Sequence, residues 1–220
     1  IFQKINTSIF KNVSAIMDNI EMVNTHLKKN NYQYELLAVI KTKNNANLFF
    51  DASNNPWRCY KYIEHKNYTF GDLNDKIMME YGKAIGHFHS CISEFNSSKI
   101  TNTITDFHNT TKYFTAFKNL MNKSTSKQKN EVEGELEFVQ QFSEKFKEIN
   151  RWFQTGKIPS RVCHNDTKID NILFDTKNNK VKSIIDLDTI MRNSIIYDFG
   201  DAIRTSCNGT SENDSNINNV

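Results

Sequence analysis

The apolar positions of this chain fall into helical and strand periods. Ile16, Ile20, Val23 and Leu27 recur at steps of four, three and four and predict a helix over 13–29. Ile77, Tyr81, Ile85, Phe88, Ile92 and Phe95 form a second stripe, over 73–95, with Asp72 in position to cap it. Val132, Leu136, Val139, Phe142, Phe146, Ile149 and Phe153 form a third, over 131–155, and Gly156 follows as a C-cap. Shorter runs read as strands. Ile1–Ile5 is one, with Phe2 and Lys4 on one face, and Tyr34–Thr42 and Leu48–Phe50 are two more. Trp57–Ile63 alternates, with Trp57, Cys59 and Lys61 on one face and Arg58, Tyr60 and Tyr62 on the other. Ser124–Lys129 reads as a loop, and the polar cluster Asp106–Thr111 as a helix start or the turn before one. After Pro159 comes a hairpin pattern: Ile172–Phe174, a polar turn at 175–180, then Val181–Ile185.

The segment around that hairpin carries the chemistry. His164, Asp166, Lys168 and Asn171 stand within eight residues, and Asp186 and Asp188 end the second hairpin strand. Phosphoryl transfer needs a carboxylate to position an acceptor hydroxyl, metal ions on the phosphates and positive charge against the moving group. Asp166 is the candidate base, and Lys168 the candidate cation for the γ-phosphate. Asn171 and Asp186 are hard oxygen ligands suited to Mg²⁺. Asp188 reads as a second metal ligand or as a brace for the loop. The run from His164 to Asn171 has the order H-x-D-x-x-x-x-N of the protein-kinase catalytic loop. His164 is expected to brace the loop backbone. Asp198-Phe199-Gly200 spells a kinase metal motif. It lies well after Asp186 has ended the metal-bearing strand, so Asp198 is expected to cap the helix starting near Phe199 or to brace a loop.

The stretches HNDTKIDNILFD, IIDLDTIM and YDFGDAIR resemble the kinase-like phosphotransferases of small molecules, which include aminoglycoside phosphotransferases and choline kinases, and among these the N-acetylhexosamine 1-kinases. The resemblance is strongest over 161–204. It implies an α+β, protein-kinase-like two-lobed fold, with a partial N-terminal sheet lobe over 1–65 and a mainly helical catalytic lobe over 66–207. It implies ATP and Mg²⁺ as cofactors, and a small-molecule acceptor, a sugar phosphorylated at its anomeric hydroxyl. In that fold a lysine on the strand before the first helix holds the α- and β-phosphates. Lys4 is the residue at that position, with Glu21 as its possible partner. Glu64 and His65 fall in the hinge whose backbone meets the adenine.

Composition narrows the field. Lys and Arg number 28 against 25 acidic residues, a net charge of +3, so nothing suggests a nucleic-acid partner. No apolar run approaches the roughly 18 residues of a membrane span. Cys59, Cys91, Cys163 and Cys207 show no close pairing, which suggests a reduced, cytoplasmic protein. Cys163 is expected to be a buried small hydrophobe rather than a nucleophile. His87 and His89, two apart on a helix, point too far from one another to pair on a metal. The chain opens in mid-pattern without methionine, has seven glycines and no glycine-rich phosphate loop, and ends in a polar stretch at 208–220. A fragment is expected. Two other readings compete. Asp186-Leu187-Asp188-Thr189 resembles the D-x-D of aspartate-nucleophile phosphatases, but that motif opens its domain and little chain follows here. A pseudokinase is the other, and the intact loop residues argue against it.

Overall fold

The computed structural model describes residues 1–69 and 72–207, the Phe146 side chain excepted. The polar stretch 208–220 lies outside the described residues. By packing the chain forms two units, Ile1–Ile104 together with Arg161–Val220, and Thr105–Ser160. The lobe boundary expected at 65 and 66 falls inside the first unit.

The first unit is α+β. Strands β1 (Phe2–Lys4), β2 (Phe49–Phe50) and β3 (Pro56–Cys59) form an antiparallel sheet in the order β1-β3-β2. Its register pairs Phe2 with Cys59, Gln3 with Arg58 and Lys4 with Trp57. Helix α1 (Val13–Lys29) begins at Asn12, whose side chain accepts from the Ala15 amide, and buries Ile16, Ile20, Val23 and Leu27 as their spacing predicts. Helix α2 (Asp75–Ile92) buries Ile77, Tyr81, Phe88 and Ile92. Its cap is Asn74 and not Asp72, because Asn74 Oδ1 meets the amides of Lys76 and Ile77 while the Asp72 carboxylate is taken by Thr69.

Two expected strands are shorter than their apolar runs. Tyr34–Thr42 makes a single bridge, Val39 to Tyr60. Ile40 N to Cys59 O and Lys61 N to Ala38 O make that bridge, while Glu35 N donates to Lys182 O, so no continuous ladder forms. Trp57–Ile63 keeps its ladder only through Cys59. Its inward face is the one carrying Arg58 and Tyr60, both buried, whereas Tyr62 is exposed.

The remaining strands are two antiparallel pairs. Strand β4 (Arg161–Cys163) pairs with β7 (Met191–Asn193), and β5 (Ile172–Phe174) with β6 (Val181–Ile184). The hairpin is tied to the residues after β3 by two bonds, Lys66 N to Phe174 O at 2.8 Å and Phe174 N to Lys66 O at 3.0 Å. Apolar residues from the first helix, α2 and both hairpin strands share one core that includes Ile20, Phe88, Ile172 and Phe174. Helix α6 (Ile195–Cys207) follows β7, starting earlier than the expected Phe199.

The second unit holds α3 (Thr110–Lys123), α4 (Ser126–Asn130) and α5 (Glu133–Gln154). Asn109 caps α3. Residues 124–129, expected as a loop, contain α4, whose start is fixed by a capping box of Thr125 and Gln128. Gly156 follows α5 at φ 73°, the left-handed conformation glycine takes without strain. No residue of 105–160 whose side chain is described is fully buried.

Candidate active site

Strand β4 runs into the loop through Cys163, and the loop is fixed before any side chain in it can act. Asp198, on the first turn of α6 and fully buried, accepts from the His164 amide at 2.8 Å and the Asn165 amide at 2.7 Å. Its Oδ2 also meets His89 Nε2 of α2 at 3.0 Å. Thr167 Oγ1 donates to the Asp198 carbonyl at 2.6 Å. This buried carboxylate therefore braces the loop, as expected, and it does so from inside α6 rather than from its cap. His89 is satisfied by this pair and has no metal role with His87, which stacks on Tyr32. Cys163 is buried, and burial pushes its thiol well above the ordinary range, the opposite of an activated nucleophile.

His164 acts through both ring nitrogens. Nε2 donates to the Ile185 carbonyl at 2.8 Å, and Nδ1 accepts from the Asp166 amide at 3.3 Å. Those partners fix one ring tautomer and leave the imidazole as a spacer between the loop and the end of β6. The ring is fully buried, the place of a brace rather than of a proton carrier.

Asp166, Lys168 and Asn171 converge. Asn171 Nδ2 donates to the Asp166 carbonyl at 2.8 Å and to its Oδ2 at 2.9 Å. Lys168 Nζ lies 3.3 Å from the same Oδ2. With its amide nitrogen committed, Asn171 keeps its side-chain oxygen for another partner. Asp166 Oδ1 accepts nothing among the described residues.

Asp186, two residues after β6 and not at its end as expected, is in the left-handed conformation, φ 59° and ψ 58°, uncommon for any residue other than Gly, Asn or Asp. The turn that imposes this is anchored on both sides. Ile185 N donates to Asn171 O at 2.9 Å, Thr189 Oγ1 donates to His164 O at 2.8 Å, and Asn165 Nδ2 donates to Thr189 O at 2.9 Å. Asp188 is bound bidentately by Arg58, Nη1 to Oδ1 at 2.5 Å and Nη2 to Oδ2 at 2.8 Å, a contact that braces the turn. The Asp186 carboxylate, by contrast, accepts no hydrogen bond among the described residues. Burial first, and then the charge of Asp188, push it above the usual carboxylate range. A half-buried, unpaired carboxylate, one residue from the Ile185 amide that bonds the Asn171 carbonyl, is the donor chemistry of a hard cation. Among the described residues no cluster of three His, Cys, Asp or Glu could hold a metal. Mg²⁺ does not require one, because it keeps waters and phosphate oxygens as ligands.

The structure does not bring Lys4 to this group. On β1 all three residues are exposed, and the one tied to this group is Gln3, whose Oε1 accepts from Arg58 Nε at 2.9 Å and Nη2 at 2.8 Å. Phe2 and Lys4 share the other face, Phe2 at 80%. Among the described residues no ion pair joins Lys4 to Glu21, and Glu21 instead accepts from Asn47. In the hinge, Glu64 O accepts from Lys182 Nζ at 2.8 Å, and His65 Nδ1 contacts Ile63 O at 2.7 Å. The backbone amides of Glu64 and His65 have no partner among the described residues.

Arg58, Gln3, His89 and Thr189 are the residues that motif reading missed. Arg58 had a signal: it lies on the face of the 57–63 strand shared with Tyr60, and a buried guanidinium requires a carboxylate.

A cavity of about 690 Å³ opens against the outer side of the sheet, lined by Phe2, Ile40, Phe49 and Trp57 among others. None of the loop carboxylates lines it. Among the described residues no helix is long and apolar enough to cross a membrane.

Solved structures share this arrangement. The amicoumacin kinase hAmiN in complex with AMP-PNP, Ca²⁺ and Ami superposes with a TM-score of 0.63 at 12% identity, over 93% of this chain and 56% of that one. An aminoglycoside phosphotransferase from Alicyclobacillus acidocaldarius subsp. acidocaldarius gives 0.64 at 12% identity, over 94% and 61%. The ethanolamine kinase of Plasmodium vivax gives 0.52 at 15% identity, over 94% and 54%. The chain thus spans a little over half the length of the structures it matches, and at these identities the likeness shows the fold, the kinase-like α+β fold expected from the catalytic loop. Residues 33–215 match the family described as the phosphotransferase enzyme family, and the chain belongs to that family.

Proposed function

We propose that this protein is an ATP-dependent kinase that moves the γ-phosphate of ATP to a hydroxyl of a small molecule. The observation that carries this reading is the convergence of Asp166, Lys168 and Asn171 with the unpaired Asp186. Asp166 Oδ1 orients the acceptor hydroxyl and takes its proton, and Lys168 offsets charge on the γ-phosphate. Asn171 and Asp186 hold Mg²⁺, which when bound offsets the charge that builds on the phosphates. Asp188 stays on Arg58. The unpartnered hinge amides at Glu64 and His65 are available to the adenine.

For the acceptor we infer an N-acetylhexosamine phosphorylated at its anomeric hydroxyl. This rests on the resemblance of HNDTKIDNILFD, IIDLDTIM and YDFGDAIR alone. The test is ATP turnover with Mg²⁺ by the full-length protein across N-acetylglucosamine, N-acetylgalactosamine, choline and an aminoglycoside. Sugar 1-phosphate from the first two alone is expected. Turnover with choline or the aminoglycoside would keep the mechanism and discard the sugar. No transfer to any of them would remove the kinase reading.

Asp186 makes a second prediction. Its folded-state value is raised, so its contribution to stability is full at low pH and is lost as pH rises through the carboxylate range. Mg²⁺ binds the ionised form and offsets that loss. The rise in melting temperature on adding Mg²⁺ and AMP-PNP should therefore grow as pH rises from about 4, the ordinary aspartate value, through the raised titration of Asp186. A Mg²⁺ effect that is flat over this range would remove Asp186 from the metal site.

A further inference from the structure

We propose that Arg58 is a positioning residue for the metal site: by gripping Asp188 it holds the turn that presents Asp186. This rests on the reading of Asn171 and Asp186 as the Mg²⁺ ligands. Arg58 sits in the middle of β3, is 3% exposed, and commits its whole fork within the fold. Nε and Nη2 donate to Gln3 of β1, Nη1 and Nη2 donate to the two oxygens of Asp188, Nη1 also meets Met17 Sδ at 3.9 Å, and the guanidinium lies 4.9 Å from the centre of the Tyr60 ring. With every face occupied, it has no donor left for a phosphate, and its effect must pass through Asp188.

What it passes on is geometric. Asp188 lies two residues after Asp186 in the short 3₁₀ turn Leu187–Thr189. The loop side of that turn is fixed by Asn171, His164 and Asn165 at residues 185 and 189. Arg58 supplies the tie from the sheet, between those two points. A bidentate guanidinium–carboxylate pair fixes an orientation as well as a distance, which a lysine cannot do. With both ties in place the left-handed Asp186 is over-determined, and its carboxylate is presented without a partner of its own. The same pair connects the sheet that carries Gln3 to the metal-bearing turn.

The test is uptake of Mn²⁺, as a spin-active stand-in for Mg²⁺, by the full-length protein saturated with AMP-PNP, read from the free Mn²⁺ signal. Arg58→Lys should weaken Mn²⁺ binding about 10- to 100-fold, the scale for removing a group that orients a metal ligand. The affinity for AMP-PNP without metal should stay unchanged. The double variant Arg58→Met/Asp188→Leu replaces the ion pair with apolar side chains of similar bulk, which is expected to keep the fold at or near its wild-type melting temperature. Its Mn²⁺ affinity should remain as weak as that of Arg58→Lys. Wild-type Mn²⁺ binding in either variant would reduce the pair to a structural contact and overturn the proposal. Tighter binding in Arg58→Lys would overturn it too, since a freed Asp188 would then be acting as a ligand. If the wild-type protein with AMP-PNP takes up no Mn²⁺, the metal reading itself fails and the positioning role with it.

Discussion

Replacing Asp166 with asparagine is expected to lower kcat by about 10² or more, the usual contribution of a positioned general base. The KM for ATP should stay near that of the wild type. The substitution is close to isosteric, and the surrounding bonds show what survives it. Asn171 Nδ2 reaches the Asp166 carbonyl as well as Oδ2, so the asparagine at 171 keeps one of its two anchors whatever stands at 166. The Asp166 amide remains on His164 Nδ1. What disappears is the charge that attracts Lys168 and the lone pair that takes the hydroxyl proton. The Asp166 side chain is 23% exposed, so little stability should be lost, and thermal melts serve as the control. Steady-state kinetics with the acceptor identified by the substrate panel decides the matter. Near-normal turnover would sink the role of Asp166, and the loop would then be a nucleotide-binding device rather than a catalytic one.

The chemical half of the site was legible because its residues are contiguous. His164, Asp166, Lys168 and Asn171 lie on one loop, and Asp186 is one hairpin away, so spacing along the chain stands in for spacing in space. Helix α1 was legible for a similar reason: the stripe Ile16, Ile20, Val23 and Leu27 repeats over about three turns. The half of the site that positions these groups was not legible. Arg58 meets Asp188 from 130 positions away, and nothing local to either residue announces the other. Strand β1 shows how parity misleads. Phe2 and Lys4 share one face and Gln3 the other, and a run as short as Ile1–Ile5 has hydrophobic residues on both. The core took Ile5 and left Phe2 outside, and Gln3, on the Ile5 side of the strand, is the residue that meets Arg58.

Helix α5 forms where its stripe predicts, but its burial does not follow. Its stripe is regular, yet Val132 and Phe142 are exposed, because within their own unit α3 and α5 pack mainly on one another and two helices cannot cover a full stripe. Periodicity shows that a face is apolar and not what lies against it. The α4 capping box, Thr125 with Gln128, was a local signal, and reading that stretch as a loop passed over it. The Asp186-Leu187-Asp188 sequence, which suggested a phosphatase nucleophile, loses that meaning once the chain is placed in the phosphotransferase family.

Asp198→Asn is expected to destabilise the protein by about 2–4 kcal/mol, although the two side chains have nearly the same shape. The carboxylate accepts from two backbone amides, one on each oxygen, and from His89 on the oxygen already shared with the His164 amide. All of these are donors, and a carboxylate is the side chain that can accept from every one. An asparagine has a single oxygen. Whichever way it turns, its NH₂ faces a buried backbone N–H, and that donor is left without a partner, at a cost of about 1–3 kcal/mol beyond the loss of charge-assisted bonding. For a chain of this size, a loss of 2–4 kcal/mol corresponds to a fall in melting temperature of about 4–16 °C. His89→Ala removes only the side chain that is 18% exposed and leaves both amide bonds on Asp198, so its cost should be clearly smaller. Denaturant unfolding of the two variants beside the wild type gives both numbers. The amides in question belong to His164 and Asn165, the residues that lead into Asp166, so Asp198→Asn should also lower kcat below the value for His89→Ala. Wild-type stability in Asp198→Asn would mean that the loop holds its shape without this carboxylate, and the hydrogen bonds of His164 to Ile185 and of Thr189 to His164 would then have to fix Asp166 alone.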